Sequence, residues 1–305
     1  MSSTRIVAVG VLGACVLTAG CIGSSDVEPF ETAETAEAPL GRRTVAPIGA
    51  NGLAPAHFWA AENRAAFRAL GGAALAGGGG GVLAATPLLG TEGGRSVLDY
   101  TVRCALAEGQ VVHAPNGDPY YGSFGFAPAW TGRALNLSEQ RWVSACIFQH
   151  LNGSGAHVDI LLRGDHPALA CSPDEAPFLD FFVRDATMFG NAFLPGPIAG
   201  FACIDPDLTG ELSRISLSCP LDLNLLELDR LCGHVPTCGI AFVGLCNLAC
   251  TQDTAGNKTC NTLPLLGPLL GPLLGPILGP SYAETIRTQL RDADFLPLYP
   301  GCGLL

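Results

Sequence analysis

The chain has 305 residues, 48% of them hydrophobic, which is enough to build one large or two small domains. Its 16 basic residues face 27 acidic ones, a formal charge of -11. That balance argues against nucleic acid as a partner and against electrostatic attachment to anionic lipid headgroups.

The chain opens with Arg5, an uncharged apolar stretch over residues 6–19, and then Gly20-Cys21, the order of a secretory signal. The stretch is too short to cross a bilayer, which takes about 20 apolar residues. Leu17-Thr18-Ala19-Gly20-Cys21 resembles the lipobox of bacterial lipoproteins, and the resemblance implies acylation on Cys21 and cleavage just before it. Leu12-Gly13-Ala14-Cys15 also fits the box but leaves a shorter apolar stretch after Arg5, so Cys21 is preferred. Two acyl chains hold stably where one holds marginally, which makes the membrane the expected partner of residue 21. Ile22 follows where aspartate would favour inner-membrane retention, so the outer membrane is the expected location. Residues 21–53, with Asp26, Glu28, Glu31, Glu34 and Glu37 among Thr, Ala and Pro, read as an acidic tether.

Residues 57–70 are predicted to form one helix with Phe58, Ala61 and Ala65 on a face, stopping at Gly71-Gly72. Five glycines at 77–81 lack the Gly-Lys-Ser/Thr ending of a phosphate loop and read as a hinge. A second helix starts with Ser96 as cap and runs to Leu106. Strands follow at 110–113 and 120–126 around a turn at 115–119. A third helix, capped by Ser138, carries Trp142, Cys146 and Gln149. Strands are expected at 157–163 and 178–184, and a short helix within 222–231. Residues 263–280 repeat Leu-Leu-Gly-Pro, and a proline every fourth residue rules against a membrane helix in favour of a spacer. Ser281 and Glu284 form a capping box, with Tyr282, Ile286 and Leu290 on one face of a last short helix.

These elements give an α+β fold in which disulfide-stapled helices pack on a small antiparallel sheet. The expected organisation is a signal at 1–20, the tether at 21–53, an α+β domain at 54–200 and a cysteine-rich extension at 201–262. The spacer at 263–280 and a helix and tail at 281–305 complete it. Thirteen cysteines are present. Setting aside Cys15 and Cys21 leaves Cys104, Cys146, Cys171, Cys203, Cys219, Cys232, Cys238, Cys246, Cys250, Cys260 and Cys302. In an exported chain they read as a disulfide framework with one thiol over, and no zinc-finger spacing is present.

Across residues 53–260 the chain resembles a group of uncharacterised exported proteins and lipoproteins of myxobacteria. The likeness is carried by Tyr100-Thr-Val-Arg-Cys104-Ala-Leu106, Gln140-Arg-Trp-Val-Ser-Ala-Cys146, Leu162-Arg163-Gly164, Phe189-Gly190-Asn191 and Phe201-Ala-Cys203. It implies the same compartment and a Cys104–Cys146 bond, and no activity. The residues support that bond as well: both cysteines fall on predicted helices joined through a hairpin, and closing such a loop contributes about 4 kcal/mol in the chain-entropy model.

Chemistry-bearing constellations are few. Cys146 and His150 lie four apart on one helical face, as a nucleophile and base would, but a cysteine in a disulfide attacks nothing. His150, His157 and His166 with Asp165 match no metal-ligand spacing. Asp205, Asp207 and Thr209 resemble the first half of a calcium loop, although Ser216 stands at the twelfth position where a bidentate Glu belongs. In the aromatic stretch 120–130, alternation puts Tyr120, Phe124 and Phe126 in the core and leaves Tyr121 and Trp130 as candidates for stacking on a sugar. No cofactor is implied. The expectation is a non-enzymatic envelope lipoprotein with a binding or structural role, with an envelope protein or glycan as partner. An exported hydrolase with scattered catalytic residues is the alternative, and a redox or covalently partnered protein using the odd cysteine is the second.

Overall fold

The computed structural model describes residues 48–76, 81–170, 181–204, 223–233, 235–236, 238–254, 256–262 and 280–299. Cys21 and most of its tether, Cys171, Cys219, Cys302, the residues Asp205, Asp207 and Thr209, and the Leu-Leu-Gly-Pro repeat lie outside them.

The expected α+β class is what is seen. In chain order the elements are β1 (Ile48–Asn51), α1 (Pro55–Trp59), α2 (Ala61–Leu70), α3 (Glu92–Ala105), β2 (Val111–His113), β3 (Pro119–Tyr121) and α4 (Leu137–His150). There follow β4 (Val158–Arg163), β5 (Phe181–Gly190), β6 (Gly200–Ile204), α5 (Leu223–Cys232), β7 (Ile240–Leu245), α6 (Cys246–Ala249), β8 (Cys250–Gln252) and β9 (Lys258–Asn261). The last are β10 (Ser281–Tyr282), β11 (Ile286–Arg291) and α7 (Asp292–Leu298).

A six-stranded sheet in the order β1-β4-β11-β5-β6-β7 is the centre of the fold, antiparallel except for the β6–β7 pair. A three-stranded sheet, β10-β9-β8, and the β2–β3 hairpin complete it. Helix α4 lies against β1, β11, β5 and β6 and has no solvent face from Trp142 to His150, all nine of which are buried. The polar side chains in that run are therefore all spent on the fold. Gln149 Nε2 donates to the carbonyls of Ala186 (3.0 Å) and Ile286 (2.5 Å), and its Oε1 accepts from the Thr288 hydroxyl. The side chain thus holds β5 and β11 together from above. Ser144 accepts the Ala192 N–H at 2.8 Å.

Several local expectations change. The helix expected over 57–70 breaks at Ala60, whose ψ of 132° is extended, and α2 restarts in a different phase. It buries Asn63, Arg64, Ala66, Phe67 and Leu70 and leaves Ala61 and Ala65 exposed. The cap of α3 is Thr91, which accepts the Gly94 N–H, so the helix begins earlier than Ser96. Asn136 caps α4 in a full capping box with Glu139, and Ser138 sits inside the helix.

The largest correction is at the C-terminal side. Tyr282, Ile286 and Leu290 are spaced by four, which puts them on one helical face and equally on one strand face, because four is also two strand repeats. The buried residue between them decides it: β11 reads buried at Ile286, Thr288 and Leu290 and half-buried at the alternate positions. Residues 286–291 are a strand between β4 and β5, Tyr282 lies in β10 of the small sheet, and the helix comes after both. Since β7 and β11 both belong to the main sheet, the cysteine-rich segment and the C-terminal segment share one fold with residues 54–200. Ile48–Asn51, expected in the tether, forms the edge strand.

Among the described residues four disulfides are formed: Cys104–Cys146, Cys203–Cys246, Cys232–Cys238 and Cys250–Cys260. The first joins α3 to α4, as expected. The second and third of these in chain position, Cys203–Cys246 and Cys232–Cys238, brace β6 against α6 and close the loop after α5. The small sheet has a core of its own, in which Phe189, Val243, Ala249 and Tyr282 surround Cys203, Cys246, Cys250 and Cys260. A core so small holds poorly by burial alone, and cystines supply the difference.

Candidate functional site

A cleft of about 640 Å³ opens where the start of α4 meets residues 124–128 and the turn at 166–168. Its volume is in the range of small-molecule pockets. The local chain path explains why it is there. The backbone N–H groups of residues 123–127 donate to the carbonyls of Arg103, Cys104, Ala105 and Leu106, which are the orphan acceptors at the end of α3. This is why residues 124–126 do not continue β3: their donors are used on the helix end and not on a neighbouring strand. A Cβ on Gly122 would stand 2.3 Å from the Ala107 carbonyl oxygen, so only glycine lets the segment approach this closely.

That path delivers Phe124 and Phe126 to the cleft beside Trp142 of α4. Phe126 and Trp142 stack with centroids 5.8 Å apart and planes 5° from parallel, and Phe124 stacks on Phe126 at 6.2 Å. His166 tilts against both Phe126 (4.9 Å) and Trp142 (5.0 Å). Gly164 allows this turn to come close, since a Cβ there would lie 2.6 Å from the Thr285 carbonyl oxygen and 3.4 Å from Trp142.

The polar groups have defined roles. His166 Nδ1 accepts the Ala168 N–H at 3.1 Å, so a neutral ring carries its proton on Nε2 and is a donor there. Burial lowers the His166 pKa against the opposing charge of Asp165, which favours that neutral form. Glu139 is held by two bonds from Arg133 (2.7 and 2.5 Å) and accepts the Asn136 N–H at 2.9 Å. Burial works against its charged form, yet the bonds from Arg133 and Asn136 prevail and hold its carboxyl below the usual range. It stays ionised and committed to the capping box, a poor proton acceptor for catalysis. The cleft therefore offers ring edges, one imidazole donor and a polar rim at Asn136 and Ser138.

Behind Phe124 lies a closed cluster. His150 Nδ1 is 2.8 Å from the Cys146 carbonyl, to which it must donate, and 3.8 and 4.0 Å from the sulfurs of Cys146 and Cys104. The sulfurs are bonded to each other, so the nucleophile–base pair is absent. Burial pushes His150 down to about 4, only partly offset by the bond to Cys146, and it is neutral at ordinary pH. His150 is buried and His157 exposed, and neither joins His166 in a metal-ligand group among the described residues.

The two residues expected to stack on a sugar do not form a platform. Tyr121 is 60% exposed on β3, but Trp130 is fully buried, with its Nε1 donating to the Ala73 carbonyl at 3.1 Å. The indole needed a partner and found it inside the fold. The stacked set that lines the cleft, Phe126, Trp142 and His166, has a sequence signal in its first member alone, which falls in the aromatic-rich stretch. The other two converge only through the tertiary fold.

No protein-family model matches the chain, and no curated protein or solved structure matches it. No helix among the described residues is long and apolar enough to cross a membrane.

Proposed function

We propose that this is a non-catalytic binding lipoprotein of the bacterial envelope, anchored through Cys21 in the outer membrane and presenting its cleft to a sugar-bearing ligand. The single observation that carries the binding role is the cleft itself: parallel Phe126 and Trp142 with an adjacent imidazole donor and a polar rim. Aromatic ring edges beside a few fixed polar groups suit a sugar ring, whose apolar C–H groups pack on carbon while its hydroxyls meet the imidazole donor and the rim. The anchor rests on the residues before Cys21 and on Ile22 after it.

The test is titration of the chain with soluble hexosamine oligosaccharides, read by tryptophan emission and calorimetry. Saturable binding that Ser138→Trp blocks by filling the rim, with thermal stability unchanged, is the expected result. Binding that Ser138→Trp leaves intact, or none at millimolar oligosaccharide, removes the proposal. For the anchor, the mass of the N-terminal peptide from the bacterial envelope must carry acyl groups on Cys21. An unmodified thiol there rejects it.

A further inference from the structure

We propose that Cys203, Cys246, Cys250 and Cys260 form an internal thiol–disulfide relay, in which reduction of one bond is passed to the other within the fold. The Sγ atoms of Cys203 and Cys250 are 3.8 Å apart, although each is bonded elsewhere, Cys203 to Cys246 and Cys250 to Cys260. No atom lies between sulfurs at that separation. The sulfurs of Cys203, Cys246 and Cys250 all fall within 4.8 Å of one another.

Their backbone positions keep them there. Cys246 opens α6 and Cys250 caps it, with the Cys250 N–H donating to the Cys246 carbonyl, so one short turn presents both sulfurs. Cys250 stands directly opposite Cys260 in the β8–β9 register. Strand β8 is an edge of its sheet, and Cys250 is 8% exposed while the other three are fully or almost fully enclosed (Cys203, Cys246 and Cys260 at 0%). The relay is entered at Cys250, the one of the four with any exposed surface.

The reductant is an external dithiol of the thioredoxin chemical class. Its thiolate attacks Cys250 Sγ, the Cys250–Cys260 bond breaks, and Cys260 leaves as a thiolate that takes a proton from water. The second thiol of the reductant resolves the mixed disulfide, which oxidises the reductant and frees Cys250. The Cys250 thiolate then attacks Cys203 Sγ across the 3.8 Å contact. A Cys203–Cys250 bond forms, Cys203–Cys246 breaks, and Cys246 leaves as the thiolate and is protonated. The balance is two electrons and two protons taken up, with one bond kept and two thiols, Cys246 and Cys260, set free. Two disulfides that merely staple the fold would end instead with thiols at the two ends of whichever bond was cut.

The experiment treats the oxidised chain with a limiting amount of a dithiol, quenches with acid and an alkylating agent, and maps the peptides without further reduction. Alkylation of Cys246 together with Cys260, and a Cys203–Cys250 peptide, is the expected outcome. Alkylation of Cys250 with Cys260, with Cys203–Cys246 intact, overturns the relay. Cys260→Ser gives an independent reading without added reductant: it leaves a thiol at Cys250, and the relay then yields a mixture of Cys203–Cys250 and Cys203–Cys246. Exclusive Cys203–Cys246 in that variant also refutes it.

Discussion

Consider urea unfolding of the oxidised chain, repeated from about pH 7.5 down to about pH 4.5, beside the same series for His150→Gln. In the folded chain His150 is enclosed by Tyr100 and Phe124, whose rings lie 5.4 and 5.5 Å from its own. A Cβ on Gly49 would come within 2.8 Å of its Nε2. The Cys146 carbonyl already takes the Nδ1 proton, and the charges of Arg103 and Arg230 oppose a second one. Its pKa is accordingly about 4 in place of the ordinary 6.5. Between those values the unfolded chain binds a proton that the native chain does not, so stability rises with pH there. The contribution is complete above about pH 6.5 and is lost as pH falls towards about 4. A shift of this size corresponds to about 3 kcal/mol. The wild-type unfolding free energy should therefore fall by up to that amount more than that of His150→Gln over the same interval. Parallel pH curves for the two proteins would refute the reasoning.

Two further outcomes follow from the same core. Replacing Cys104 and Cys146 together by Ala should cost about 4 kcal/mol, because the bond closes a loop with a sequence separation of 42; calorimetric unfolding of the double variant checks this. Gln149→Leu keeps the volume and removes the amide that bonds the carbonyls of Ala186 and Ile286 and the Thr288 hydroxyl, a loss of about 3 kcal/mol by urea unfolding; equal stability would mean that water replaces the amide.

What the residues reveal locally, they reveal where one period or one partner is enough. Helix α5 and the β2–β3 hairpin follow from spacing and turn chemistry, and the Cys104–Cys146 bond from the resemblance together with two helices joined through a hairpin. The C-terminal strand misleads because the spacing of Ile286 and Leu290 satisfies two periods at once, and only Thr288, a polar residue held by Gln149, separates them. Phe124 and Phe126 alternate like a strand, yet their backbone donors are drawn to the end of α3, a demand set by a helix some twenty residues earlier. The cleft is less legible still. Trp142 reads as one more core residue of a buried helix, and it becomes part of a site only because Gly164 lets the turn with His166 come within contact.

Strand β11 lies between β4 and β5, and its residues 286–291 are made long after β4 ends at Arg163 and β5 at Gly190. Without β11 the sheet is two pieces, β1-β4 and β5-β6-β7, and the same strand covers an edge of each. Pairing β11 with β4 and β5 joins segments far apart in the chain, so it carries a large loop-closure cost. A chain cut after residue 262 loses β11 together with β10 and α7, and its six-stranded sheet is divided at the middle.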